Sequence, residues 1–174
     1  QVLGVLPGVE RPAIMTSLPA QTGPVHVLDV GANVDCTAAQ LVQFALMGSL
    51  AVELADNQQP EVALLNVGTE TIKGGQQVRQ AAAMLEQQVE IRYSGYIEAD
   101  AVFRGEAGVI VCDGFAGNVL LKSAEGTARL MASQLRERLT VNLWRRLLAG
   151  LNRGLWHELA AHWSPDAYNG AMLL

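Results

Sequence analysis

Apolar positions along this chain follow two rhythms. Short uninterrupted runs alternate with longer stretches in which apolar residues recur every three or four positions. PVHVLDV (24–30) is short, β-branched and apolar, the pattern of a buried strand. VALLNV (62–67) repeats it, IRYSGYI (91–97) is a shorter version, and GVIVCDG (108–114) is a fourth. Between them, AAQLVQFALMGSLAVELA (38–55), QQVRQAAAMLEQQ (76–88) and VLLKSAEGTARLMASQLRERL (119–139) read as helices, with Thr37 placed to cap the first. Near-continuous apolar strands alternating with helices predict a mainly parallel sheet covered on both faces, a three-layer α/β/α sandwich. The opening 23 residues contain Pro7, Pro12 and Pro19, which forbid one continuous helix, and they show no clear first element. No internal repeat or low-complexity tract is evident.

The last third changes character. Trp144, Leu147, Leu148, Leu151, Leu155 and Leu159 lie at helical spacing, with Trp156 and Trp163 beside that stripe. Gly150, Asn152 and Gly154 suggest a break, so 139–163 reads as an amphipathic helical hairpin. Three readings stand: a helix lying in a membrane interface, a helical pair at a subunit interface, or a cover for the domain's own core. Periodicity alone favours core or partner packing.

Composition narrows the class. The 174 residues suit one α/β domain over 1–174 and are too few for two full α/β domains. The chain begins without an initiator Met and reads as a piece of a longer protein. Hydrophobic residues at 50% and charged residues at 17% exclude a disordered tail. No uninterrupted apolar run reaches the about 18–20 residues of a membrane-spanning helix, and no secretory-signal pattern opens the chain. Cys36 and Cys112 are too few for a disulfide scaffold and read as structural thiols in a reducing cytosol. Net charge is −5, but unevenly spread: residues 1–128 hold 6 Lys/Arg against 14 Asp/Glu, and residues 129–174 hold 6 Arg against 3 acids. The acidic whole argues against nucleic-acid binding. The two lysines, Lys73 and Lys122, both lie in polar, glycine-containing segments.

Three strand ends deliver such segments: Asp29 to Asp35, Asn66 to Gly75, and Asp113 to Asn118. Ligands of open α/β sheets bind beyond the carboxyl ends of the strands. Glycines let backbone N–H groups approach an anion, helix N-termini add unpaired donors, and Lys73, Asn33 and Asn118 add side-chain donors. None of the three is a Walker sequence or a dinucleotide fingerprint, and turn chemistry alone also favours Gly and Asn. Asp29 and Asp113 could orient a ligand, or could cap the next helix and hold loop amides; for Asp29 the second reading is preferred. Glu70 and Lys73, three apart, could pair, and Lys122 could face the site or pair with Glu125 or Glu98. His26, His157 and His162 form no legible arrangement with either cysteine or with a serine, and no metal-ligand spacing appears.

Set side by side, HVLDVGANVDC (26–36), LVQFALMGSLAVE (41–53), ALLNVGTETIKGG (63–75), VIVCDGFAGNVLLKSAEG (109–126) and PDAYNGAMLL (165–174) closely resemble PlsX, the family of bacterial phosphate acyltransferases. The resemblance runs from Arg11 to Leu174, is weakest over 134–163, and corresponds to the central portion of the family's chain. It implies a fold of the isocitrate/isopropylmalate dehydrogenase type, shared with phosphotransacetylases. It also implies transfer of a long acyl chain from acyl carrier protein to inorganic phosphate, for phospholipid synthesis. A cytoplasmic homodimer, peripherally associated with the membrane and needing no cofactor or metal, is further implied. On that basis Lys73, Asn33, Asn118 and Asp113 are the candidate catalytic residues, and Gly31, Gly68, Thr69, Gly74 and Gly117 the candidate phosphate-binding positions. Trp144, Leu147, Leu151, Leu155 and Trp156 are candidates for membrane or dimer contact. Arg136, Arg145 and Arg146 are candidates for docking the acidic acyl carrier protein. The alternatives are a phosphate acetyl- or butyryltransferase using coenzyme A thioesters, or a non-catalytic fragment that binds lipid or a partner.

Overall fold

The computed structural model describes Val5, residues 7–141, Gly154 and Ala171–Leu173. Its elements run β1 (Ala13–Ala20), β2 (Gly23–Leu28), α1 (Ala38–Asp56), β3 (Glu61–Leu65), α2 (Gln76–Leu85), β4 (Arg92–Ile97), a 3-10 turn (Ala101–Arg104), β5 (Val109–Val111), α3 (Gly114–Thr140) and β6 (Ala171–Leu173). The chain divides into two compact units, residues 1–119 with 170–174, and residues 120–169. The first unit holds the sheet. In the second, Glu125 pairs with both Lys122 and Arg129 along the exposed surface of α3, so Lys122 takes the nearer of its two expected partners. The hairpin expected over 139–163 lies outside the described residues, apart from its first three positions and Gly154.

The six strands are ordered β4-β3-β5-β2-β1-β6. β2, β5, β3 and β4 are mutually parallel, while β1 runs antiparallel to both β2 and β6. Every carboxyl end of the parallel set therefore faces one edge, and the start of β1 reaches the same edge, since Met15 pairs with Leu28. Leu28, Val62, Leu64, Val109 and Val111 alternate onto one face and pack with Leu41, Phe44, Ala45 and Leu85 of α1 and α2. Val27, Ala63 and Ile110, between them in sequence, are buried on the opposite face. Burial on both faces is why these strands read as continuous apolar runs.

α1 starts where expected. Thr37 accepts from Gln40 N–H at 3.2 Å, and the Gln40 side chain accepts from Thr37 N–H at 3.0 Å, a complete capping box. The helix is long and apolar enough to cross a bilayer by composition, yet Leu41, Phe44 and Ala45 are buried against the sheet. Gly48 is required there, because a side chain would meet Leu28 and Val109 within 2.9 Å.

Two expectations need correction. The opening is not without structure: β1 is an eight-residue strand joined to β2 by the two-residue turn Gln21–Thr22. Pro19 is tolerated because β6 pairs only with Ala13, Ile14 and Met15, leaving the far end of β1 unpaired on that side. The segment Gly114–Asn118, expected as a loop, is the first turn of α3.

Phe44 is fully buried, so Phe44→Ala is expected to cost about 3–5 kcal/mol in urea unfolding. His26 sits opposite Ser17 across the β1–β2 hairpin, Nδ1 2.9 Å from Oγ. Burial holds its pKa below the ordinary 6.5, an effect partly offset by the Asp56 carboxylate. Because the fold keeps this imidazole neutral, its stabilising contribution is complete above pH 6.5 and is lost as pH falls toward the lower folded value. Stability should therefore drop between pH 7.5 and pH 5.5, and the drop should be smaller in His26→Gln.

Candidate functional site

The candidate site is built from the bottom of the β2 loop upward. Asp29, fully buried at the end of β2, accepts five N–H groups. Oδ1 takes Ile14 N (3.1 Å), Gly31 N (3.1 Å) and Ala32 N (3.0 Å), and Oδ2 takes Asn33 N (2.7 Å) and Asn33 Nδ2 (2.9 Å). A carboxylate with this many donors is a strong local anchor. It ties the β2 loop to the start of β1 and turns 31–33 into a tight curl, with Gly31 at φ +138. The preferred reading of Asp29, holding loop amides, is what the geometry displays.

The curl is the seat of α3. Asn33 O accepts from Gly114 N at 2.7 Å, and a side chain at Gly114 would lie 2.6 Å from that oxygen. At Gly117 a side chain would run into Asp29 O and Cys112 Sγ. Only glycines permit the first turn of α3 to approach β2 so closely. Asp113 Oδ1 accepts from Ala116 N at 2.7 Å, the geometry of an N-cap. Asn118, exposed at the end of that turn, borders Gly31.

These facts change several expected roles. Asn33 is buried, and its amide donates to Pro12 O (2.8 Å) and to Asp29, so both hydrogens serve the chain. Gly31 N–H belongs to Asp29 and Gly117 N–H to Asp113 O, so neither is open to phosphate. Asp113 caps a helix. Of the residues expected in this half of the site, Asn118 keeps an exposed amide without a protein partner among the described residues.

The second half is the loop after β3. Lys73 pairs with Glu70 at 2.8 Å, both side chains about half exposed. Each holds the other charged: hydrogen bonding to Glu70 raises the lysine pKa, and hydrogen bonding to Lys73 lowers that of the glutamate. Glu98, just past β4, adds a smaller field at the same ammonium. Such an exposed pair exchanges readily for a ligand's charge. Gly68 packs beneath it, where a side chain would meet Lys73 Cδ at 2.5 Å, and Thr69 is exposed. Gly74 has φ +89 with no room for a side chain against Asn66 Oδ1. Asn66 and Arg79, neither of them among the expected site residues, both bond this loop: Asn66 Nδ2 reaches Gly68 O and Lys73 O, and Arg79 Nη1 reaches Ile72 O and Gly74 O. The legible signal was Arg79 as the one basic residue of α2.

The cysteines behave as structural thiols. Burial pushes Cys36 up to about 11 and Cys112 well above its ordinary range, so neither offers a thiolate near neutral pH. Among the described residues no group of three or more His, Cys, Asp or Glu is placed to hold a metal. Of the candidates for membrane, dimer and acyl-carrier contact, Arg136 is exposed on α3, while Trp144, Arg145, Arg146, Leu147, Leu151, Leu155 and Trp156 lie outside the described residues.

Asp29→Asn tests the anchor. The replacement turns an NH2 group toward at least two of the five donors, and leaving them unmatched should cost about 2–4 kcal/mol in urea unfolding. A cost below about 1 kcal/mol would show that the curl holds without the carboxylate.

The fold is similar to that of solved phosphotransacetylases: one from Streptococcus pyogenes superposes with TM-score 0.59 at 19% identity, covering 74% of this chain and 45% of that one. The EutD phosphotransacetylase from Staphylococcus aureus gives 0.56 at 20% identity, covering 71% and 44%. Sequence likeness is much closer to proteins named phosphate acyltransferase. The one from Stutzerimonas stutzeri strain A1501 is 51% identical over 174 residues, all of this chain and 49% of its own. The one from Pseudomonas aeruginosa strain UCBPP-PA14 is 48% identical over 173 residues, 99% of this chain and 52% of its own. The chain thus spans about half the length of these relatives. Residues 1–174 match, end to end, the family described as fatty acid synthesis protein, and the chain belongs to that family, the one that includes these phosphate acyltransferases.

Proposed function

We propose that this chain carries part of the active site of a phosphate acyltransferase, which moves a long acyl group from acyl carrier protein to inorganic phosphate. The observation that carries the reading is the β3–α2 loop. It sets an exchangeable lysine beside the amides of Gly74 and Gly75, which meet no acceptor among the described residues, at the carboxyl edge of the parallel sheet, and the relatives at about half identity are named for acyl transfer to phosphate. Phosphate is itself the nucleophile, so no protein nucleophile is needed, which agrees with two thiols held protonated. A phosphate oxygen attacks the thioester carbonyl, the carbonyl electrons move to an oxyanion, and their return expels the carrier's thiolate. The protein's part is to hold phosphate close and to meet the oxyanion with fixed donors. Lys73 takes the phosphate by exchanging Glu70 for it, with Gly74 and the N-terminus of α2 as backbone donors. Asn118 is the donor from the neighbouring strand end, and Asp29, Asn33, Asp113, Gly31 and Gly117 set its position.

In the same reading the product, an acyl phosphate, serves phospholipid synthesis. Arg136, with Arg145 and Arg146, meets the acidic carrier protein. The Trp- and Leu-rich segment around Trp144, Leu147, Leu151, Leu155 and Trp156 contacts a second subunit and the membrane surface, giving a cytoplasmic, peripherally attached homodimer.

The test is phosphate-dependent release of free acyl carrier protein from palmitoyl-acyl carrier protein, by this chain and by a version extended to the relatives' length. Lys73→Met should lower turnover about 100-fold with unchanged unfolding behaviour. Turnover only on acetyl-coenzyme A would replace this reading with that of a phosphate acetyltransferase.

A further inference from the structure

We propose that Arg79, together with Asn66, is a positioning residue that turns the amides of the β3–α2 loop toward phosphate; this rests on the functional reading above. Three consecutive carbonyls of the loop are held by side chains of the chain itself. Ile72 O and Gly74 O both accept from Arg79 Nη1 at 3.1 Å, and Lys73 O accepts from Asn66 Nδ2 at 3.2 Å. In a trans peptide the carbonyl of one residue and the N–H of the next point in opposite directions. Fixing these carbonyls therefore fixes the N–H groups of Lys73, Gly74 and Gly75 on the far side. Lys73 N–H is used, donating to Glu70 O at 3.0 Å. The amides of Gly74 and Gly75 meet no acceptor among the described residues, and they are adjacent donors directly before α2. Gly75, the N-cap of α2, brings no side-chain cap of its own to compete for them.

Both clamps are themselves held. Asn66 follows β3, and its own N–H donates to Ile97 O of β4 at 2.9 Å. Arg79 stands one turn into α2, and that helix is joined to α1 through Gln77 Oε1, which accepts from Ala38 N at 3.1 Å. The sheet thus fixes one end of the loop and the helical layer the other. Arg79 makes no ion pair with a carboxylate among the described residues, so its recorded side-chain bonds all go to the loop. Because a single nitrogen makes both bonds, the guanidinium fork is not required, and a lysine can replace it in part.

The experiment compares the unsubstituted protein with Arg79→Gln and Arg79→Lys. The amide resonances of Gly74 and Gly75 are recorded without phosphate, and the KM values for inorganic phosphate and for palmitoyl-acyl carrier protein are measured in the extended version. Arg79→Gln should move both resonances and raise the KM for phosphate about tenfold while leaving the KM for the acyl donor unchanged. Arg79→Lys should restore most of both effects. Unmoved Gly74 and Gly75 resonances in Arg79→Gln, or an equal rise in both KM values with lost stability, would overturn the proposal. Absence of phosphate-dependent turnover in the unsubstituted protein would instead sink the functional reading, and the two resonances would then decide the role of Arg79 by themselves.

Discussion

The buried carboxylate of Asp29 gathers five N–H groups from two segments, the start of β1 and the loop after β2, which Val30 N–H to Ile14 O and the Asn33 amide to Pro12 O also bridge. It sits where a central parallel strand gives way to a loop, and there it pairs the part-buried amides of Gly31 and Ala32 and the buried amide of Asn33. The carboxylate shapes the loop in the same act. Because Asn33 is drawn in, its carbonyl faces Gly114 and receives the first N–H of α3. Because Asp29 O lies under Gly117, that helix can begin directly on the strand end. The placement of Asn118 beside Gly31 follows from these contacts.

The β3–α2 loop solves a related problem by the opposite means. There the anchors are donors, Asn66 and Arg79, and they gather carbonyls instead of amides. A loop with its amides turned inward suits packing against a helix start. A loop whose carbonyls are held by side chains leaves amides free on the other side of the same peptides, where an anion can use them. The two strand ends therefore divide the work of the site. One builds a rigid seat, and the other presents donors together with a lysine whose partner is exposed enough to be exchanged.

Most of the scaffold was legible because its signals are local. Thr37 marks the start of α1 as a cap, and the apolar runs of β2, β3 and β5 mark strands covered on both faces. β1 was hidden because one of its two partners, β6, lies far along the chain, and because Pro12 and Pro19 looked locally like breaks. α3 begins early because its first turn fits against the β2 loop, a tertiary reason invisible in GFAGN. The candidate site was legible as three loops but not in its division of roles. Residue type marks Asn33 as a donor, and only the fold reveals that Pro12 and Asp29 use both of its hydrogens. Arg79 drew no expectation at all, since its partners are carbonyls, which carry no side-chain signature.

The Asp29 carboxylate should make the β2 loop as rigid as the sheet beneath it, and native-state hydrogen exchange at Ile14, Gly31, Ala32 and Asn33 measures this directly. These four amides should exchange together, as slowly as the amides of Val27 and Ile110 in the central strands. Exchange of Gly31, Ala32 and Asn33 at the rate of the exposed Val34 would contradict it.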